Sequence, residues 1–225
     1  MCGRFFIAED GENELLEEII QGAARRQQAV TGVQTVARGE ICPGTTAAAL
    51  AMGKNGRVGA FPMQWGFRRP GGKGLIVNVR SETALDKPLF RESMQCRRCL
   101  IPASWYFEWE KRNGQQTLPD AVPSFQIQGD APIIGRGKHP QKIKYAIRPR
   151  NSGLIYLAAI YRYEDAQRLP VFSILTRQPA PEIAFIHDRM PVIFSDAARS
   201  IWLDRAADPQ EALKQCEKEM VFRAV

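Results

Sequence analysis

Short apolar runs bounded by turn residues dominate the chain, and they predict strands more often than helices. GRFFIA, residues 3–8, predicts a strand at the N-terminus. A helix follows from about Glu12 to Arg26, where Leu15, Leu16, Ile19, Ile20 and Ala23 recur at helical spacing. Glu12 and Glu14 in its first turn, with Arg25 and Arg26 near its last, suit the helix dipole. Segments 46–52 and 57–62 predict paired strands around Lys54-Asn55-Gly56. Pro70, Gly71, Gly72 and Gly74 mark a loop before LIVNVRSET, and CLIPASWYFEWEK is a strand running into an aromatic cluster. Further strands are predicted at 143–148, 154–161 and 170–176, with a helix after Pro179 and Pro181. Two more helices are expected, one capped by Ser195 and one opened by Asp208-Pro209 with Glu211 as a capping-box glutamate.

Residues 112–142 carry little apolar periodicity apart from a possible strand at 123–129, and predict a surface insertion. No internal repeat or linker divides the chain. The expectation is therefore one α+β domain over residues 1–225, its mostly antiparallel sheet curled toward a barrel and flanked by helices.

At 44% hydrophobic and 24% charged residues, the 225-residue chain has a globular composition. No apolar run reaches the roughly 20 residues needed to cross a bilayer, and the first twenty residues lack a signal-peptide layout. A cytoplasmic protein without membrane contact is expected. The net charge of +7 is compatible with a polyanionic partner and does not by itself establish one. Five cysteines in a reducing compartment argue against a disulfide framework. Cys96 and Cys99 form a CxxC with no second pair, and with His139 and His187 the only histidines, neither metal nor cofactor is expected.

Chemistry is concentrated at Met1-Cys2-Gly3. A small second residue permits removal of the initiator methionine, which exposes an α-amine and a thiol on adjacent carbons. Such a 1,2-aminothiol condenses with an aldehyde to an imine, and the thiol then closes a thiazolidine ring. With a pKa near 8, the α-amine is appreciably unprotonated at neutral pH. A cysteine at position 2 is also common in proteins that do nothing with it. Glu108, inside WYFEW, is either a desolvated proton carrier or a strand glutamate facing water. His187, in FIHDRMP, is a proton shuttle or a structural cap. Asn78, a polar residue closing an apolar strand, must find partners or face a cleft.

These residues lie in MCGRF, PGT at 43–45, WGF at 65–67, NVRSET at 78–83, RCLIPASWYFEW at 98–109 and IHDRMPVI at 186–193. In order and spacing the set resembles the SOS response-associated peptidase (SRAP) family, the abasic site processing proteins. The resemblance implies a barrel-like α+β domain with a basic groove leading to a mature N-terminal cysteine. It implies a protein that removes its own Met1, then links Cys2 to the ring-opened abasic sugar of single-stranded DNA as a thiazolidine. On that basis Cys2 is the nucleophile and Asn78 orients the amine and the substrate oxygen. Glu108 moves protons, and His187 assists ring opening and reversal. Arg4, Arg80 and Arg189 hold phosphates or the acidic groups of the site, while Trp65 and Pro43 form the wedge that stacks on bases. A monomer is expected. Two other readings stay open: a cysteine peptidase acting on other proteins, and an inactive single-strand-binding module.

The sequence departs from the family pattern at several places. Glu40 adds negative charge near the expected DNA path, and Trp105 stands where a glycine is usual. The chain stops at MVFRAV, where the family usually continues with another strand.

Overall fold

The computed structural model describes residues 2–8, 13–34, 36–111, 142–165 and 167–225. In chain order its elements begin with β1 (Arg4–Ile7), α1 (Glu14–Thr31), β2 (Gly39–Ile41), β3 (Thr46–Met52) and β4 (Val58–Trp65). Next come β5 (Phe67–Arg68), β6 (Leu75–Ile76), β7 (Asn78–Arg80), α2 (Pro88–Cys96), β8 (Arg98–Ala103) and β9 (Trp105–Lys111). The rest are β10 (Lys142–Pro149), β11 (Ile155–Arg162), β12 (Val171–Arg177), β13 (Met190–Pro191), α3 (Asp196–Leu203), α4 (Pro209–Leu213) and β14 (Met220–Ala224).

Strands β11, β8, β3, β4 and β12 are neighbours in that order, and β12 pairs back onto β11, closing a five-stranded ring. Closure removes the free edges that an open sheet would expose. A second sheet, ordered β14-β10-β9-β1-β2, is antiparallel throughout. The continuous apolar run of β11 follows from burial on both faces. Leu157 and Ala159 join the main core with Trp65, while Tyr156, Ala158 and Ile160 pack into a second cluster with Phe90 and Trp202.

Strand β12 changes partners along its length, and this places the site. One edge passes from β11 to β13; the other passes from a parallel pairing with β4 to a parallel pairing with β7. Asn78 and Arg80 are thereby set opposite Ile174 and Thr176. The switch from β4 to β5 turns at Gly66, at φ +119°, where a Cβ would sit 2.8 Å from Leu75; only glycine fits there.

Several expectations are corrected by the structure. The first helix runs to Thr31, so Arg25 and Arg26 fall short of the last turn, and Asn13 caps it by accepting from the Leu16 amide. The segment after Pro179 and Pro181 makes only one 3-10 turn, Pro181–Ile183. Ser195 precedes α3, but its hydroxyl donates to the Gln215 carbonyl rather than capping the helix. Asp208 does cap α4, whereas Glu211 pairs with Lys214. CLIPASWYFEWEK is two strands in different sheets, β8 and β9, separated at Ser104. The possible strand at 123–129 lies outside the described residues. No helix among the described residues is long and apolar enough to cross a membrane.

Arg98 ties α2 and α3 to the barrel. Its buried guanidinium donates to the carbonyls of Trp202 at 2.6 Å, Met94 at 2.9 Å, Gln95 at 2.7 Å, Ala207 at 3.1 Å and also Asp204. Removing it strands several acceptors at once, so Arg98→Ala is expected to cost about 3–5 kcal/mol. A urea titration checks this: the midpoint falls at unchanged slope.

Candidate active site

Two strand pairings assemble the site from distant parts of the sequence. Antiparallel pairing of β1 with β9 sets Arg4 opposite Phe107 and Phe5 opposite Tyr106, bringing the N-terminal residues alongside the glutamate strand. The β7–β12 pairing brings Asn78 to the same place, where its Nδ2 donates to the Cys2 carbonyl at 2.8 Å. Asn78 therefore opens a strand rather than closing one. Its Oδ1 is buried and, among the described residues, meets no donor. An acceptor in that state is costly unless an N–H reaches it in another state of the protein.

Cys2 is fully buried, and its Sγ donates weakly to the Arg4 carbonyl at 3.7 Å. Burial, and then the nearby Glu108 charge, push its thiol far above the usual cysteine range. Such a thiol stays protonated and needs a base at the moment it attacks. Glu108 is the carboxyl whose charge acts on this thiol. Strand alternation turns Tyr106, Glu108 and Glu110 inward, all nearly inaccessible. Trp105, Phe107 and Trp109 face the other way: Phe6 stacks on Trp105 at 4.5 Å, and Lys144 sits over Phe107 at 3.8 Å. The glutamate is thus buried on the Tyr106 face of its strand. Burial raises its pKa to about 7, and the charge of Asp188 adds to the effect.

That shift has a sign in stability. Above the ordinary value of 4.5 the unfolded chain releases the Glu108 proton, while the folded protein keeps it up to about 7. The folded state binds more protons in that window, so stability falls as pH rises through it, by up to about 3 kcal/mol. Glu108→Gln is expected to raise the urea midpoint, more at pH 8 than at pH 5. Equal gains at both values would contradict the shift.

His187 follows the 3-10 turn and precedes β13. Its Nδ1 accepts from the Arg189 amide at 3.0 Å and lies 2.6 Å from Asp188 Oδ1. One nitrogen cannot accept from the amide and donate to the carboxylate at once. The neutral ring suits the first contact and the imidazolium the second, so each protonation state has a partner. Asp188 links this histidine to Glu108 electrostatically.

The cationic residues divide into three kinds. Arg189 is buried, holds Glu82 through both carboxylate oxygens at 2.8 and 2.7 Å, and donates to the Thr176 carbonyl. It is an internal brace on Glu82, and its guanidinium is not presented to a phosphate. Arg4 pairs with Glu40 at 2.6 Å, and Lys144 holds the other oxygen of Glu40 at the same distance. Although partial burial works against it, hydrogen bonds from Lys144 and Arg4 hold the Glu40 carboxyl below the usual range. The added negative charge is thereby neutralised locally. Arg80 is exposed at the end of β7 and makes no ion pair among the described residues. Pro43 is exposed as a wedge would require. Trp65 is not: it is fully buried, stacked on Phe172 at 6.1 Å and tilted against Phe5, with Nε1 donating to the Val77 carbonyl at 3.0 Å. Its rings belong to the core because β4 turns this residue into the barrel, so the stacking role does not fit.

Cys96 is exposed at the end of α2, and Cys99 is buried in β8. Among the described residues no group of three or more potential ligands gathers for a metal. Sequence reasoning missed Tyr106. Its hydroxyl is fully buried, finds no hydrogen-bond partner among the described residues, and is driven to high pKa by burial, then by Cys2 and Glu108. Period-two spacing from Glu108 was the available signal.

The fold and site together define a small closed-barrel protein with a buried Cys2 whose carbonyl accepts from Asn78 and whose thiol lies in the field of Glu108. The SOS response associated peptidase (SRAP) family matches residues 1–225, and the chain belongs to that family. Over 166 residues it is 29% identical to a Bacillus subtilis protein named abasic site processing protein YoqW, covering 70% of this chain and 62% of that one. It thus spans somewhat under two thirds of that relative's length. With the Escherichia coli abasic site processing protein YedK it shares 26% identity over 218 residues, 94% of this chain and 83% of that one. The rat protein HMCES, also named an abasic site processing protein, is 30% identical over 169 residues, 68% of this chain and 48% of that one. Among solved structures, a Bacteroides thetaiotaomicron protein superposes with a TM-score of 0.67 at 20% identity, covering 100% of this chain and 92% of its own. A phage-related protein of Bordetella bronchiseptica gives 0.65 at 18%, with coverages of 100% and 94%. These likenesses establish the α+β fold.

Proposed function

We propose that this protein captures abasic sites in single-stranded DNA covalently, through Cys2 freed of Met1. The observation that carries the reading is the convergence of Asn78 and Glu108 on a buried N-terminal cysteine. The names of the relatives, abasic site processing proteins, supply the substrate.

The chemistry proceeds in balanced steps. The closed abasic sugar opens when a proton reaches its ring oxygen and another leaves the anomeric hydroxyl, work suited to Glu108 and His187. The free amine of Cys2 adds to the aldehyde carbon, and loss of water leaves an imine. The thiol then adds across the C=N bond: sulfur bonds to carbon, its proton passes by way of Glu108, and the nitrogen ends protonated in a closed thiazolidine. Asn78 Oδ1, which meets no donor among the described residues, is the natural partner of the N–H of that amine. Arg80 binds a flanking phosphate, and Pro43 borders the strand. Single strands suit such a site because no base pairing is lost when the sugar enters.

The test is incubation with a single-stranded oligonucleotide bearing one abasic site, followed by denaturing electrophoresis without borohydride. A shifted band is expected; a band seen only after reduction would mean an imine and overturn the thiazolidine. Arg80→Ala is expected to weaken binding of the strand and to reduce the slope of log K against log salt by about 0.7, one phosphate contact. An unchanged slope would remove Arg80 from the interface.

A further inference from the structure

A second cationic site lies at the other end of the barrel. A pocket of about 390 Å³ opens beside the β3–β4 turn and the start of β12, lined by Arg26, Lys54 and Arg205 with Phe61, Tyr161 and Tyr163. Pro170, just before β12, borders it, whereas Thr176 near the far end of that strand faces Arg80. Along this strand Pro170 stands about 13 Å from Ile174, opposite Asn78, and about 20 Å from Thr176, opposite Arg80.

Two of its positive charges, Arg26 and Arg205, are held in place by neutral partners. The guanidinium of Arg26 lies 4.4 Å over the Phe61 ring and donates to the Ala60 carbonyl. Arg205 donates to the Met52 carbonyl at 2.6 Å and hydrogen-bonds the Tyr161 side chain. Carbonyl dipoles and an aromatic face orient these two cations, and among the described residues no carboxylate lines the pocket. Among the described residues none of the three cations makes an ion pair. This differs from the catalytic end, where Arg4 and Arg189 are each matched to a glutamate. Tyr163 stands at the mouth, 69% exposed, its ring edge-on to Tyr161 at 6.2 Å. An aromatic ring left in water beside oriented guanidinium groups is the arrangement that takes a base on the ring and a phosphate on the cations.

We propose that this pocket binds a nucleoside phosphate unit of a single strand whose other part occupies the Cys2 site. The strand rests on the DNA reading above; the recognition chemistry, anion plus aromatic base, rests on the pocket alone. At roughly 13 to 20 Å along β12 the two sites are within reach of a strand of a few nucleotides. The pocket would then act as a second anchor that holds undamaged flanking DNA.

The test uses an unmodified 12-nucleotide oligothymidylate, which carries no abasic site and cannot report on Cys2 chemistry, together with thymidine monophosphate. Lys54, Arg205, Arg26 and Tyr163 are exposed, so their replacement leaves the core intact. Lys54→Gln combined with Arg205→Gln is expected to weaken oligothymidylate binding about tenfold at low salt. The slope of log K against log salt should fall by about 1.4, two phosphate contacts on a single strand. Tyr163→Ala is expected to weaken binding with the slope unchanged, because stacking releases no counterions. Thermal unfolding at the wild-type temperature confirms that each variant is folded. Wild-type affinity in the double variant overturns the proposal, as does a wild-type protein that fails to bind the oligonucleotide. Loss of monophosphate binding with oligonucleotide affinity retained assigns the pocket to a free nucleotide and also overturns it. Adduct formation by the wild-type protein is a separate readout, so this inference and the Cys2 reading fail independently.

Discussion

Cys2→Ser is expected to lose the adduct that survives denaturation, while still giving a product trapped by borohydride. The serine variant keeps an N-terminal amine once Met1 is removed, so imine formation with the open sugar remains available. What it lacks is sulfur, the atom that converts a hydrolysable C=N bond into a closed ring. The difference should be close to complete, because it removes a bond-forming atom rather than a rate-enhancing group. The fold should tolerate the change: Sγ makes one long contact to the Arg4 carbonyl, and the exchange is nearly isosteric. A buried hydroxyl costs about 1–3 kcal/mol if unpaired, which a melting curve will show. Retention of a wild-type yield of denaturation-resistant adduct would mean that Cys2 is not the linking residue.

Glu108→Gln is expected to slow adduct formation by about 10²- to 10⁴-fold. The amide keeps the shape and hydrogen-bonding capacity of the side chain but cannot accept and return a proton. The Cys2 thiol, held protonated by burial, then has no adjacent base. The wild-type rate should rise with pH through about 7, as the carboxyl whose pKa lies there becomes a carboxylate. In the variant that inflection should disappear. Met1 removal provides a second readout, since position 2 is unchanged: intact mass should show methionine retained. A variant fully freed of Met1, with a wild-type adduct rate, would reduce Glu108 to a structural residue. The same substitution is expected to stabilise the fold, so lost activity could not be ascribed to unfolding.

The regular parts of this fold were legible where one physical signal dominated. Strands β3, β10, β11 and β12 stand within a residue or two of their predicted limits, because each is a long apolar or alternating run between turn residues. Helix α2 was missed: Pro88 opens it, but its apolar residues Leu89, Phe90 and Met94 are too few to display a period. No element was expected over MVFRAV, and Met220–Ala224 form β14, paired with β10. Five residues carry too little pattern to declare their partner.

Legibility of the site was of another kind. Positions 2, 78, 108 and 187 were drawn together by family motifs, because nothing local in the chain states that β1 will lie beside β9 or β7 beside β12. The motif carried no information about burial either. It led to Trp65 as a wedge, and the barrel interior claimed it instead. It left the direction of Glu108 open, and the alternation of β9 decided for the inside. Tyr106 lies inside a motif and the distal cations outside any; among the described residues they became visible only as a buried hydroxyl without a partner and a pocket without a carboxylate.

The most direct measurement is to digest the protein–DNA adduct and locate the junction by peptide mass spectrometry. The account predicts one modified peptide, beginning at Cys2 with Met1 absent, heavier by the abasic nucleotide less one water. Its sulfur should resist alkylation, since the thiol has become a ring thioether. A junction at a lysine or at another cysteine, or an unmodified N-terminal peptide still carrying Met1, would contradict it.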